Sequence, residues 1–142
     1  MSESYAMKIL IVDDEPDMVA SLSRIMAKAG FQVESACDGR EAVEKNLSWK
    51  PDAVIMDIRM PRMNGIEACF AVQKESPDIP VILMTGFSDA LDDANQSIFR
   101  QACQKRKVQI MLKPLDLDRV IRIVRGESSL EDGESPYPTP FW

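Results

Sequence analysis

The chain has 142 residues, 45% of them hydrophobic and 28% charged, which is enough for one compact domain with a real core and too little for two. Its formal charge of −6 disfavours an extended nucleic-acid footprint, and the complete lack of histidine removes Ser-His-Asp and Cys-His catalysis together with histidine-ligated zinc. No apolar run approaches the roughly 18 to 20 residues of a membrane span, and the first six residues lack the basic start and apolar stretch of a signal peptide, so a soluble, cytoplasmic protein with no membrane contact is expected.

Lys8 to Val12 is a short Ile, Leu and Val run that breaks into acid, the pattern of a buried parallel strand ending at a functional loop. The acids are Asp13, Asp14, Glu15 and Asp17. Carboxylates this crowded resist ionising together, so the knot calls for a cation. From Asp17 the apolar residues Met18, Leu22, Ile25, Met26 and Ala29 recur at helical spacing, and Gly30 stands where a C-cap glycine would. Phe31 to Ala36 alternates as a strand, and Gly39 to Leu47 is helical with Ala42, Val43 and Leu47 inward. Ala53 to Met56 is a second wholly apolar run, and it ends in Asp57.

Asn64 and Gly65 lead into a helix with Ile66, Cys69, Phe70 and Val72 on its apolar side, closed off by Pro77 and Pro80. Pro80 to Met84 reads as another buried strand and ends at Thr85. A helical stretch over about 89–106, a strand over Val108 to Leu112 and a helix over Leu115 to Arg125 complete the pattern. The expected organisation is an N-terminal extension over 1–7, one domain over 8–126 and an acidic, Pro-rich tail over 127–142. Cys37, Cys69 and Cys103 are odd in number and widely spaced, which predicts reduced, mostly buried thiols rather than a disulfide framework.

Strands alternating with helices predict an α/β fold, a (βα)5 doubly wound parallel five-stranded sheet with right-handed crossovers. Such sheets bind ligands at the carboxyl ends of their strands, and those ends carry Asp13, Asp14, Asp57, Thr85 and Lys113. Converging carboxylates form a hard-oxygen site that suits Mg2+. Asp57 stands alone at the tip of its strand, placed to act as a nucleophile and form an aspartyl phosphate. Lys113 offers a point charge for a phosphoryl oxygen, and Thr85 a hydroxyl. No Gly-x-x-x-x-Gly-Lys-Ser/Thr loop is present, so the phosphoryl group has to come from something other than ATP held by this chain. Plain alternatives exist for each residue: helix-capping acids for Asp13 and Asp14, an ordinary β-branched strand residue for Thr85, a surface lysine for Lys113.

Asp13-Asp14, Asp57 within "MDIRMPRMNG", Thr85 within "LMTGFSD" and "LKP" at 112–114, in this order and each at a strand end, closely resemble the receiver domains of two-component response regulators. The resemblance covers about Lys8 to Arg125 and implies the flavodoxin-like strand order 2-1-3-4-5. It also implies phosphoryl transfer to Asp57 from a partner's phosphohistidine, on a sensor histidine kinase or a histidine phosphotransfer protein. Mg2+ would be held by Asp14, Asp57 and the backbone carbonyl of Arg59, with Asp13 in support, and Thr85 would act as the switch hydroxyl. The expected role is a signalling switch that works through protein contacts and not an enzyme in its own right, as in single-domain chemotaxis-type receivers. The alternative is an N-terminal receiver piece of a longer regulator with a DNA-binding or enzymatic effector domain.

The sequence departs from the family in two places. Where most receivers carry Tyr or Phe three residues before the Lys-Pro lysine, this chain has Ile110, which has no ring to couple to the switch threonine. The stretch between Thr85 and Lys113 is also longer than usual and lacks the customary Gly-Ala. The resemblance further places Arg59 and Phe87 beside the path of a hydrolytic water, where neither can act as a base. A metal-dependent phosphatase of the haloacid-dehalogenase kind would want a second acid after Asp57, which Ile58 and Arg59 do not provide. A flavin site is disfavoured because the acidic first loop would repel the flavin phosphate.

Overall fold

A computed structural model of the chain describes residues 6–60, 62–86 and 108–126. Five strands, β1 (Lys8–Val12), β2 (Gln32–Ala36), β3 (Ala53–Asp57), β4 (Val81–Thr85) and β5 (Val108–Leu112), form one sheet in the order β2-β1-β3-β4-β5, with every pairing parallel. The described helices are α1 (Pro16–Lys28), α2 (Gly39–Trp49), α3 (Gly65–Glu75) and α4 (Leu117–Val124). The helical stretch expected over 89–106, the basic run over 100–107 and the tail over 127–142 lie outside the described residues.

The largely apolar strands β1, β3 and β4 follow from covering the sheet on both faces, whereas the edge strand β2 alternates. Leu10, Val12, Val54, Met56, Val81, Leu83, Val108 and Ile110 pack on one side against Ala42 of α2 and Ile66, Cys69 and Val72 of α3. Ile9, Ile11, Ile55, Ile82, Met84 and Met111 pack on the other against Leu22 and Met26 of α1 and Val120, Ile123 and Val124 of α4. Because side chains alternate along a strand, the last residue of each strand falls at the rim of one of these two cores.

Two residues expected to face inward do not. Ile25 is 38% exposed and Leu47 52% exposed. The buried stripe of α2 runs through Gly39, Ala42 and Asn46, and at about 100° per residue Leu47 falls well round the cylinder from it. Ile25 sits on the flank of the Leu22–Met26 stripe for the same reason. Among the described cysteines Cys69 is buried, whereas Cys37 is exposed at the end of β2.

Candidate functional site

The parallel register sets the site. Val12 pairs with Met56 and Asp57 pairs with Met84, so the residues just past β1, at the tip of β3 and at the end of β4 lie side by side along one edge of the sheet. Each strand end is held by its neighbours: the Asp13 N–H donates to the Ala36 carbonyl at 3.1 Å, the Ile58 N–H to the Met84 carbonyl at 3.1 Å, and the Lys113 N–H to the Thr85 carbonyl at 2.8 Å.

Asp13, Asp14 and Asp57 converge so that one carboxylate oxygen from each lies within 4.8 Å of the others. Asp13 and Asp57 are buried, while Asp14 is exposed at the mouth. Lys113 places its ammonium 3.5 Å from Asp57 Oδ1 and 3.9 Å from Asp13 Oδ2. At these separations the lysine is an ion-pair partner rather than a well-formed hydrogen-bond donor. Asp13 Oδ2 and Asp57 Oδ1 accept no hydrogen bond although both are buried.

Burial pushes the Asp57 carboxyl up to about 6, against the lowering pull of Lys113 and with the help of repulsion from Asp13. Burial likewise raises Asp13, opposed by the Glu15 N–H and by Lys113. A single lysine therefore undercompensates the cluster, and two orphaned oxygens beside a third carboxylate form a donor set that fits a small, hard divalent cation. The helix-capping alternative for Asp13 does not describe its geometry. Its Oδ1 accepts the Glu15 N–H at 2.9 Å, ahead of α1, and α1 has no side-chain cap.

The remaining expected residues fall where the strand ends carry them. Arg59 follows the tip of β3, with its side chain exposed and its backbone N–H donating to the Asp57 carboxylate. Thr85 is 1% exposed, and its hydroxyl donates to the Gly86 carbonyl over a long 3.4 Å. Ile110 is fully buried on the sheet face that Thr85 shares, because Leu83 pairs with Ile110 and Thr85 with Leu112. Phe87 lies outside the described residues.

The loop between β3 and α3 folds tightly back on the site. The Gly65 N–H donates to the Ile58 carbonyl at 2.8 Å, and a Cβ on Gly65 would fall 2.3 Å from the Asp57 carbonyl oxygen, so no larger residue fits there without moving the tip of β3. The α3 start is then closed by a capping box, with Asn64 accepting the Glu67 N–H and Glu67 accepting the Asn64 N–H. Sequence reasoning missed Asp38 and Arg62, whose side chains pair across this end of the molecule. The acid-Gly step into α2, with Glu41 three residues on, was the signal available for Asp38 as a helix cap.

Comparisons with known proteins agree with this fold. The chemotaxis protein CheY of Thermotoga maritima is 37% identical over 122 residues, which cover 85% of this chain and 97% of that protein. The response regulator MprA of Mycolicibacterium vanbaalenii is 41% identical over 78 residues, and the chain matches only about a third of its length, 34%. The solved structure of chemotaxis protein CheY4 of Vibrio cholerae superposes with a TM-score of 0.71 at 25% identity, covering 87% of this chain and 100% of that one. The profile of the response regulator receiver domain matches residues 9–125, and the chain therefore belongs to the receiver-domain family of two-component response regulators.

Proposed function

We propose that Asp57 is the phosphoacceptor of this receiver and that the cluster around it is a Mg2+ site. The observation that carries the reading is the pair of orphaned buried oxygens on Asp13 and Asp57, beside Asp14 and within reach of Lys113. Asp14, Asp57 and the Arg59 backbone carbonyl would hold the cation, with Asp13 supporting from behind. When bound, it neutralises charge on the attacking carboxylate and on the phosphoryl group together.

An Asp57 carboxylate oxygen attacks the phosphorus of a phosphohistidine on a sensor histidine kinase or a histidine phosphotransfer protein. A P–O bond forms, the P–N bond breaks, and the electron pair returns to the partner's imidazole. Lys113 moves its charge from the carboxylates to a phosphoryl oxygen. Thr85, whose present hydrogen bond is weak, turns its hydroxyl to another. The chain thus promotes its own phosphorylation and only slowly its hydrolysis, within the cytoplasm, and signals through protein contacts. The receiver unit is placed at 8–126, flanked by the extension over 1–7 and the tail over 127–142. Coverage of nearly all of one relative and a third of another supports both a free-standing switch and a receiver joined to an effector.

The test uses a small acyl phosphate with Mg2+, since such a donor needs no specific pocket. Intact mass spectrometry should show a single added phosphoryl group in the wild type and none in Asp57→Asn. An unchanged yield in the variant sinks the assignment.

A further inference from the structure

Between Asp57 and α3 the described backbone comprises residues 58–60 and 62–64, and its inner end is fixed by the Gly65–Ile58 contact described above. Its outer side is held by a different device. Arg62 stands at φ 69, in the left-handed region that L side chains avoid unless something holds them there. Its guanidinium pairs with Asp38 Oδ2.

Asp38 is 2% exposed, and its other oxygen, Oδ1, accepts the Glu41 N–H at 2.8 Å as the N-cap of α2. One carboxylate therefore closes the first turn of α2 and anchors the loop after β3. The Glu41 N–H first and Arg62 next hold its carboxyl below the usual carboxylate range, so the anchor is charged at neutral pH. The two segments also touch through backbone: a Cβ on Gly39 would lie 2.5 Å from the Met63 carbonyl oxygen. Arg59 and Met60 lie between the inner and outer anchors.

We propose that Arg62 is a positioning residue for the phosphoryl-accepting site: by pairing with Asp38 it clamps the loop after Asp57 onto α2 and so fixes the Arg59 carbonyl for Mg2+. The proposal rests on the reading of Asp57 and its cation site given above. An exposed ion pair contributes little by itself, but here the acidic partner is buried and already committed to a helix cap, so only one end of the pair needs ordering. The left-handed backbone at Arg62 is tolerated because it aims the side chain at that fixed partner.

Three variants separate the clamp from its surroundings. Arg62→Gly removes the side chain and the cost of the left-handed backbone together, Arg62→Ala removes the side chain alone, and Asp38→Asn keeps an N-cap while discharging the partner. Mg2+ affinity is read from the amide shifts of Arg59 and Met60 during titration, and loop order from their hydrogen exchange in metal-free protein. All three variants should bind Mg2+ about tenfold more weakly and exchange faster at these two amides. The double variant Arg62→Ala with Asp38→Asn should be no worse than either alone. Phosphorylation by a small acyl phosphate should fall at limiting Mg2+ and recover at saturating Mg2+.

Wild-type Mg2+ affinity and unchanged exchange in Arg62→Gly overturn the proposal alone. A wild type whose Asp14 and Asp57 amides do not respond to Mg2+ overturns the cation reading, and the proposal with it.

Discussion

The β1–β3 half of the site edge and the β4–β5 half are built on opposite principles. At β1 and β3 the strands run out into two buried carboxylates short of partners, crowded by a third that is exposed. β4 ends in a hydroxyl with one long hydrogen bond and β5 leads into Lys113, both backed by Ile110 and its neighbours packed at zero or near-zero exposure. The first half holds like charges close together with a single lysine near them, a repulsion that the proposed divalent cation would relieve. The second is a close-packed interior in which an aliphatic side chain has little room to change place. Under the proposed function the acids, with Lys113 reaching across from the end of β5, prepare the chemistry, and the packing behind β4 and β5 confines the response.

The sharpest way to break this contrast is to remove the cation that the carboxylates share. Lys113→Ala leaves Asp13 and Asp57 facing each other without compensation from this lysine and removes the charge that the proposed function assigns to a phosphoryl oxygen. Phosphorylation by a small acyl phosphate should slow about a hundredfold or more. A rate within a few-fold of wild type would show that Lys113 serves packing only.

The next effect is on stability. The folded Asp57 carboxyl holds its proton more tightly than the unfolded chain does, about 6 against 3.8, so protonation favours folding. This contribution is fully present below about pH 4 and is lost as the pH rises through about 6. In metal-free protein at pH 7.5, Asp57→Asn should be more stable than wild type by at most about 3 kcal/mol. Thermal melts should show the difference shrinking toward zero near pH 4. Mg2+ should stabilise the wild type at pH 7.5 and leave Asp14→Ala nearly unmoved. A pH-independent difference would mean that Asp57 is not destabilised by burial.

Activation itself sharpens the contrast. On adding beryllofluoride, amide shifts should concentrate in residues 57–60 and at Thr85 and Gly86, with little change across Val108–Leu112, because Ile110 is buried and has no ring to swing. Large shifts along β5 would show that coupling to the last strand survives by another route. The smallest effect concerns lifetime. Arg59 and Phe87 offer no base to an attacking water, so Arg59→Asn and Phe87→Glu should each shorten the decay of phosphorylated protein by several-fold. Decay no faster than wild type in both would place the control of lifetime elsewhere.

The sheet could be read from the sequence because β1, β3, β4 and β5 are mainly apolar runs that stop at once in acid, threonine or Lys-Pro, and these stops are the candidate site, while β2 shows as an alternating strand. Ile25 and Leu47 were misplaced because a helix of mixed composition permits more than one apolar stripe, and only packing selects among them. Asn46 shows the same limit from the other side. It is buried between α2 and α3 with its amide donating to Ser76 Oγ at 3.3 Å, where hydropathy alone would not put a polar group. The Arg62–Asp38 pair was hidden for a third reason, since it joins residues 24 apart and depends on a left-handed backbone that an arginine does not advertise. Asp57 stood out from Asp13 and Asp14 by its solitary place at a strand tip, but the orphaned oxygens and the shared lysine belong to the three-dimensional arrangement.

The central claim is that Asp57, and neither of its two acidic neighbours, receives the phosphoryl group. Borohydride reduces an aspartyl phosphate to homoserine, so peptide mapping of phosphorylated and reduced protein locates the acceptor directly. The account predicts homoserine at position 57 alone, dependent on Mg2+. Homoserine at position 13 or 14, or at no position in protein that carries the added phosphoryl mass, would contradict it.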